Sequence, residues 1–192
     1  MARIGLKGLT YAPYTSGGDG SAVVYGTVVT AAGLMITADL SLEREDVSLY
    51  ADDARQEHAN GVTGGTMTLE LADLSDALKK ALLGYVENAD GALTVIDAEA
   101  PYVGFGYITK QVKNGTASFV GYWINKIQFG TDSDSNSTKG ENSEFRTESL
   151  TGSMLGVQLT SGGATEFYRT KSFATEAAAA AWVANKGVTP ST

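Results

Sequence analysis

Hydrophobic and polar side chains alternate most strictly over two stretches, and both predict strands. In Leu34-Met-Ile-Thr-Ala-Asp-Leu-Ser-Leu-Glu43, Leu34, Ile36, Ala38, Leu40 and Leu42 fall on one face, and Met35, Thr37, Asp39, Ser41 and Glu43 on the other. In Gly65-Thr-Met-Thr-Leu-Glu-Leu71, Met67, Leu69 and Leu71 alternate with Thr66, Thr68 and Glu70. A period of two is the mark of a strand with one buried and one wet face. Between them lies Arg44–Gly64, charged and weakly apolar, which reads as a loop far longer than a hairpin needs. A connection of that length implies a job of its own.

The rest of the chain divides around this pair. Residues 1–21, ending in Ser16-Gly-Gly-Asp-Gly-Ser21, read as an N-terminal arm, and Ala22–Val29 as a first strand. A helix is predicted over 73–84, with Asp73 as cap, Asp76 in the first turn, a Leu74, Leu78, Leu82 stripe and Gly84 as the stop. Such a stripe is core. Pro101–Lys110 reads as a strand in which Gly104 and Gly106 leave room between aromatics, and Asn114-Gly115 as a hairpin turn. A long strand follows over Thr116–Phe129, with Phe119, Trp123, Ile127 and Phe129 expected on one side. A polar loop, 130–143, leads to a strand over Glu144–Leu159 and a short one over Phe167–Phe173. Thr175 then caps an Ala-rich helix, Glu176–Asn185, anchored by Trp182. The chain is expected to form one β-rich body, 22–173, with loops 44–64 and 130–143, flanked by the arm 1–21 and a C-terminal helix and tail, 174–192.

Composition sharpens this picture without changing it. With 23 Gly, 3 Pro and 43% hydrophobic residues, the chain suits a mainly β fold rich in tight turns. The absence of Cys excludes disulfides, thiolate chemistry and Cys-ligated zinc. No secretory h-region is visible near Met1, and no apolar run reaches the length of a membrane helix. A net charge of -8 repels phosphate and argues against affinity for nucleic acid.

Candidate chemistry is thin. The one His, His58, sits in a charged stretch with no marked nucleophile or orienting carboxylate. Asp132, Asp134 and Asn136 open like a calcium loop, but Ser137 stands where the turn Gly belongs and Ser143 where the bidentate Glu belongs. Glu43, Glu45, Asp46, Asp52 and Asp53 are interleaved with Arg44 and Arg55, the pattern of a solvated or subunit-contacting segment. Neither a catalytic residue, a cofactor nor a metal site is predicted.

The order and spacing of several motifs resemble the phage major tail proteins of the phi13 type. These are the start Met1-Ala-Arg-Ile-Gly-Leu-Lys-Gly-Leu-Thr-Tyr11, the alternating strand running into Leu49-Tyr-Ala-Asp-Asp53, Thr63-Gly-Gly-Thr-Met-Thr-Leu69 with Asp73-Leu-Ser-Asp76, and the Ala-rich helix with Trp182. The resemblance spans nearly the whole chain. It implies a structural protein of the virion tail, assembled in the host cytoplasm as stacked hexameric rings. It also implies a tail-tube-type β-sandwich or half-barrel with one short flanking helix and a C-terminal helix, its sheets joining between subunits into a ring. A tape measure protein, a tail terminator and distal tail proteins are the implied partners, and DNA would pass through the tube without specific binding.

Within such a ring, Asp39, Glu43, Glu70, Thr37, Thr66 and Thr68 are expected to face the lumen. Glu45, Asp46, Leu49, Tyr50, Asp52, Asp53 and Arg55 are expected to reach the next ring. The alternatives are a surface-displayed β-sandwich that binds carbohydrate or protein, which lacks an aromatic platform beyond expected core positions, and a hydrolase, for which exposed carboxylates alone speak.

Overall fold

Alternation does build the strands, but bulges shift its phase repeatedly, and the shifts near the N-terminus, at Ile36 and at Asn125 shape the fold. The computed structural model describes residues 2–31, 35–51, 54–96, 99–113, 115–133 and 147–188; for 2, 3, 47–51, 54–59, 113 and 131–133 it describes the backbone alone. The first half of the chain holds β1 (Ala2–Ser16), β2 (Val24–Tyr25), β3 (Val29–Thr30), β4 (Met35–Ala51) and β5 (Ala54–Leu71). Helix α1 (Asp76–Leu78) continues as a π-helical turn over Lys79–Leu83 and leads to β6 (Val86–Glu87) and β7 (Leu93–Thr94). Then come β8 (Tyr102–Lys113), β9 (Thr116–Ser133), β10 (Glu148–Met154), β11 (Val157–Gln158), β12 (Thr165–Glu166), β13 (Tyr168–Phe173) and helix α2 (Glu176–Ala184). The main sheet runs β2-β1-β8-β9-β10-β5-β4, with β13 also on β9 and β3 also on β1. The fold is mainly β, one large antiparallel sheet that does not close into a barrel.

The expected N-terminal arm is a strand of this sheet. Residues of β1 pair with β8 from Ala2↔Val112 to Pro13↔Val103, and Leu9, Tyr11 and Ala12 are buried. Its alternation is broken because the register slips twice, between Arg3 and Leu6 and between Lys7 and Thr10. Each slip holds a glycine in the left-handed region, Gly5 (φ 85°) and Gly8 (φ 72°), the backbone a bulge of this type requires. The first strand expected over Ala22–Val29 is in fact the two short pieces β2 and β3.

A second shift falls at the start of β4. Met35 pairs with Leu71 but Thr37 with Glu70, so Ile36 is the extra residue. Met35 therefore packs on the core and Ile36 is 46% exposed, the reverse of strict alternation. Ala38, Leu40 and Leu42 face the core as expected, opposite the fully buried Leu69 and Met67. Leu34 lies outside the described residues.

The third shift is in β9. Val103 pairs with Ile127 and Phe105 with Ile124, so Asn125 and Lys126 together oppose Gly104. The four residues expected on one side are consequently split. Phe119 and Trp123 face α2 with Ile108 and Val183, whereas Ile127 and Phe129 lie in the main core with Phe105 and Leu150. The bulge is held from several directions. The Tyr25 hydroxyl donates to the Asn125 carbonyl (2.7 Å), the Asn125 N–H donates to Phe167 O (3.0 Å), and the Leu155 N–H donates to Lys126 O (3.0 Å). The Lys126 ammonium sits 4.4 Å from the ring centres of both Tyr14 and Tyr102.

Two cores result. Leu74, Leu78 and Leu82 close the main core as the stripe predicts, each contributing roughly 1.5–3 kcal/mol of burial. Ser75, not Asp73, occupies the cap position, and Gly84 ends the helical segment at φ 76°. On the other face of β8 and β9, α2 docks through Ala179, Trp182 and Val183, with Trp182 5.8 Å from Phe173. Bare backbone makes that seat: a Cβ on Gly121 would stand 2.8 Å from the Trp182 ring, and one on Gly106 2.7 Å from both Trp123 and Val183. Thr175 caps α2, its hydroxyl accepting from the Ala178 N–H (3.3 Å). The strand expected over Glu144–Leu159 is shorter, divided into β10 and β11, while β9 extends into the expected polar loop as far as Ser133. The remainder of that loop, 134–143, lies outside the described residues, as does Asn114.

Two stability outcomes follow from these contacts. Trp182→Ala should cost roughly 3–5 kcal/mol, read as a lowered midpoint in urea denaturation. Burial pushes the Tyr25 phenol up to about 12, against a weaker lowering by the Trp123 indole N–H. The folded chain thus keeps a proton that the unfolded chain releases near 10, so this contribution is full below that pH and is lost as the pH rises towards 12. Tyr25→Phe should cost about 1–2 kcal/mol at neutral pH through the widowed Asn125 carbonyl. It should also flatten the alkaline fall in stability, followed by denaturation at stepped pH.

Candidate assembly interface

Three polar rows cross the wet face of β4, β5 and β10. Thr37 pairs with Glu70 and Glu70 with Ser149; Asp39 with Thr68 and Thr68 with Thr151; Ser41 with Thr66 and Thr66 with Ser153. Ser153 continues to Gln128 on β9. The expected group Thr37, Asp39, Glu70, Thr66 and Thr68 therefore shares one surface, with Glu43 at its upper end. Glu70 is fixed in it by the hydroxyls of Thr147 (2.7 Å) and Thr37 (3.4 Å), which both donate to its carboxylate. Ser149, Thr151 and Ser153 were missed by the sequence reading. Their signal was present as alternation with Leu150, Gly152 and Met154, whose burial mirrors that of Met67, Leu69 and Leu71.

Arg44–Gly64 is not a loop. β10 covers β5 only as far as Gly65↔Met154, and beyond that point β4 and β5 run on as a two-stranded ribbon, from Glu43↔Gly64 to Ala51↔Ala54. At about 3.3 Å per residue, residues 44–51 carry it roughly 25 Å past the sheet. The charges misled the sequence reading because a stretch this rich in charge shows no apolar period. Asn60 ties its base together: Arg44 Nη1 donates to the Asn60 Oδ1 (3.3 Å) and Asn60 Nδ2 to Asp46 Oδ1 (2.5 Å). Glu45 pairs with Gly61, Leu49 with Glu57 and Tyr50 with Arg55, so the ribbon carries most of the expected inter-ring group; Asp52 and Asp53 lie outside the described residues. His58 stands opposite Ser48 on the same ribbon. Among the described residues, no cluster of His, Cys, Asp or Glu is arranged to hold a metal ion.

The sheet also ends openly. Among the described residues β4 is paired in the sheet with β5 alone, so its other edge, along which Asp39, Glu43 and Glu45 lie, has no strand partner, although β4 comes close to β1. At the opposite end of the strand order, no strand covers the outer edge of β1 before Leu9 among the described residues. Such edges are templates for another strand. No helix among the described residues is long and apolar enough to cross a membrane. The arrangement offers extended surfaces, two open edges and a protruding ribbon, which are means of association more than of catalysis.

Comparison with known families agrees with that reading. No curated protein matches the chain. The family model of the phage tail tube protein matches residues 18–182 of the 192. The chain belongs to the phage tail tube protein family, a structural component of the virion tail.

Proposed function

We propose that copies of this chain join edge to edge into hexameric rings, which stack into the tube through which DNA leaves the virion. The single observation that carries this is the pairing of an open-edged sheet with a continuous polar face. Edge pairing around a ring removes every free edge, and the result is a closed wall with one wet side. That side is assigned to the lumen, lined by Thr37, Asp39, Glu43, Thr66, Thr68 and Glu70 and by the Ser149, Thr151 and Ser153 row. Each carboxylate repels a passing phosphate by on the order of 1 kcal/mol near contact in water, and salt screens that beyond about 8–10 Å. The effect is small at one residue and uniform around the bore, which suits passage without adhesion. The ribbon, with Glu45, Asp46, Leu49, Tyr50 and Arg55, is assigned to the contact between rings. A tape measure protein would fill the bore during assembly, and a tail terminator and distal tail proteins would close its ends.

Removing Leu49–Asp53 should leave a folded, soluble subunit that no longer polymerises, judged by circular dichroism and electron microscopy. Normal tubes from that deletion would contradict the role of the ribbon. Asp39→Lys and Glu70→Lys should permit tubes but slow DNA ejection several-fold in virions carrying them. Unchanged ejection would remove the support for the lumen assignment.

A further inference from the structure

Helix α2 ends in a way that favours one side chain over its backbone. The Lys186 N–H donates to Val183 O (2.9 Å) and the Gly187 N–H to Trp182 O (3.1 Å), the pattern of a Schellman turn. Its left-handed position usually falls to glycine, yet here Lys186 holds it at φ 59°, the one non-glycine residue with positive φ among the described residues. A side chain there meets a steric cost that glycine escapes, and such costs gather where a side chain has work to do. A cation does suit the carbonyl end of a helix, but that preference asks for no left-handed backbone. Lys186 borders a cavity of about 230 Å³ with apolar walls from Val23, Leu159 and Val188, and Arg169 and the buried Asn125 line it too. Asn125 Nδ2 donates to Glu166 O (3.5 Å) and Arg169 Nε to the Glu166 carboxylate (2.7 Å), so both are held in place. That pair leaves the other N–H groups of the Arg169 guanidinium for a ligand. Among the described residues no carboxylate stands within ion-pair distance of Lys186, whose ammonium lies 5.7 Å from the Tyr25 ring centre.

We propose that this cavity binds a carboxylate on a short apolar stem, with Lys186 and Arg169 holding the charge and Val23, Leu159 and Val188 the stem. Two cations meet here in a chain of net charge -8. Glu166 offsets one of them, and a single carboxylate would balance the other. The volume lies below the roughly 300–1,000 Å³ of pockets that take drug-sized molecules, so the ligand is small. The inference goes beyond the tube reading and does not depend on it. Two sources share this chemistry, a free small acid and a Glu side chain of a second copy, and assembly separates them.

Butyrate is the probe, and butyramide, of the same shape without the charge, is its control. Saturation-transfer NMR on the dispersed subunit should show butyrate bound and butyramide not. Lys186→Gly should weaken butyrate binding about tenfold or more while raising the midpoint of urea denaturation, since glycine relieves the left-handed backbone. A lysine with a structural role alone would give no loss of binding. Equal signals for butyrate and butyramide, or butyrate binding unchanged by Lys186→Gly, would overturn the proposal. So would tighter binding after removal of residues 189–192, which follow Val188 at the rim of the cavity, because the chain's own tail would then be the occupant. If Lys186→Gly or added butyrate raises the concentration needed for polymerisation, the carboxylate comes from a second copy. If polymerisation is unmoved and assembled tubes take up butyrate, it comes from a free acid. Tubes that neither depend on Lys186 nor take up butyrate would also overturn the proposal. A wild-type chain that never polymerises would sink the tube reading and leave the binding result intact.

Discussion

The extra residue at Asn125–Lys126 in β9 decides what each half of the sheet can do. Before it, β9 is buried on both faces, with Val120, Tyr122 and Ile124 towards the main core and Trp123 towards α2. After it, Ile127 and Phe129 remain in the main core while Gln128 turns to the wet face. Strict alternation would instead have put Ile127 and Phe129 on the solvent side and Gln128 in the core, because a one-residue slip moves every side chain across the sheet. One strand thus serves as the middle of a two-sided core and as the start of a one-sided wall. The bulge is fixed because its backbone groups have partners in three other segments, around Tyr25, Leu155 and Phe167.

The same mechanism explains what could be read from the sequence. Met67, Leu69 and Leu71 were legible because β5 itself has no extra residue there and pairs residue for residue with β10 from Gly65 to Leu71. The Leu74, Leu78, Leu82 stripe and the Trp182 anchor were legible because helical spacing was preserved. β1 was not, since two glycine bulges within a few residues leave no run of alternation long enough to recognise. Met35 and Ile36 exchanged faces for the same reason. The ribbon was hidden differently: its charged sequence shows no apolar alternation, and its register shifts between Glu43 and Arg44 and between Leu49 and Tyr50, so polarity made it look like a loop.

Charge placement along β4 bears on how open edges are tolerated. A long uncovered edge invites pairing with any exposed strand, including its own copy in the next subunit. Asp39, Glu43, Glu45 and Asp46 lie along this edge with Arg44 among them, so a β4-to-β4 meeting is penalised in every register that sets carboxylate against carboxylate. An edge of opposite charge would meet no such penalty. The N-terminal part of β1 carries Lys7, exposed, on such an edge, with Lys110 exposed on the adjoining strand β8. Lys7 forms an exposed pair with Glu176 at 3.2 Å, which is worth little and is readily exchanged.

Edges and ends are separate surfaces in this fold, and that separation gives the proposed tube its order of events. In the proposed tube sideways pairing would use the backbone of β4 and of a neighbouring strand, and it would finish when the ring closes. In that tube elongation would use the ribbon, and nothing in it would be satisfied by closing a ring. Each contact alone is weak, since the ribbon must be ordered at an entropic cost of about 1–2 kcal/mol per residue fixed. A single subunit presenting one ribbon gains little against that cost, whereas a closed ring presents all of its ribbons at once and in register. Ring closure therefore raises the effective concentration for stacking, and a chain built this way favours growth from a completed ring over the gathering of stray subunits.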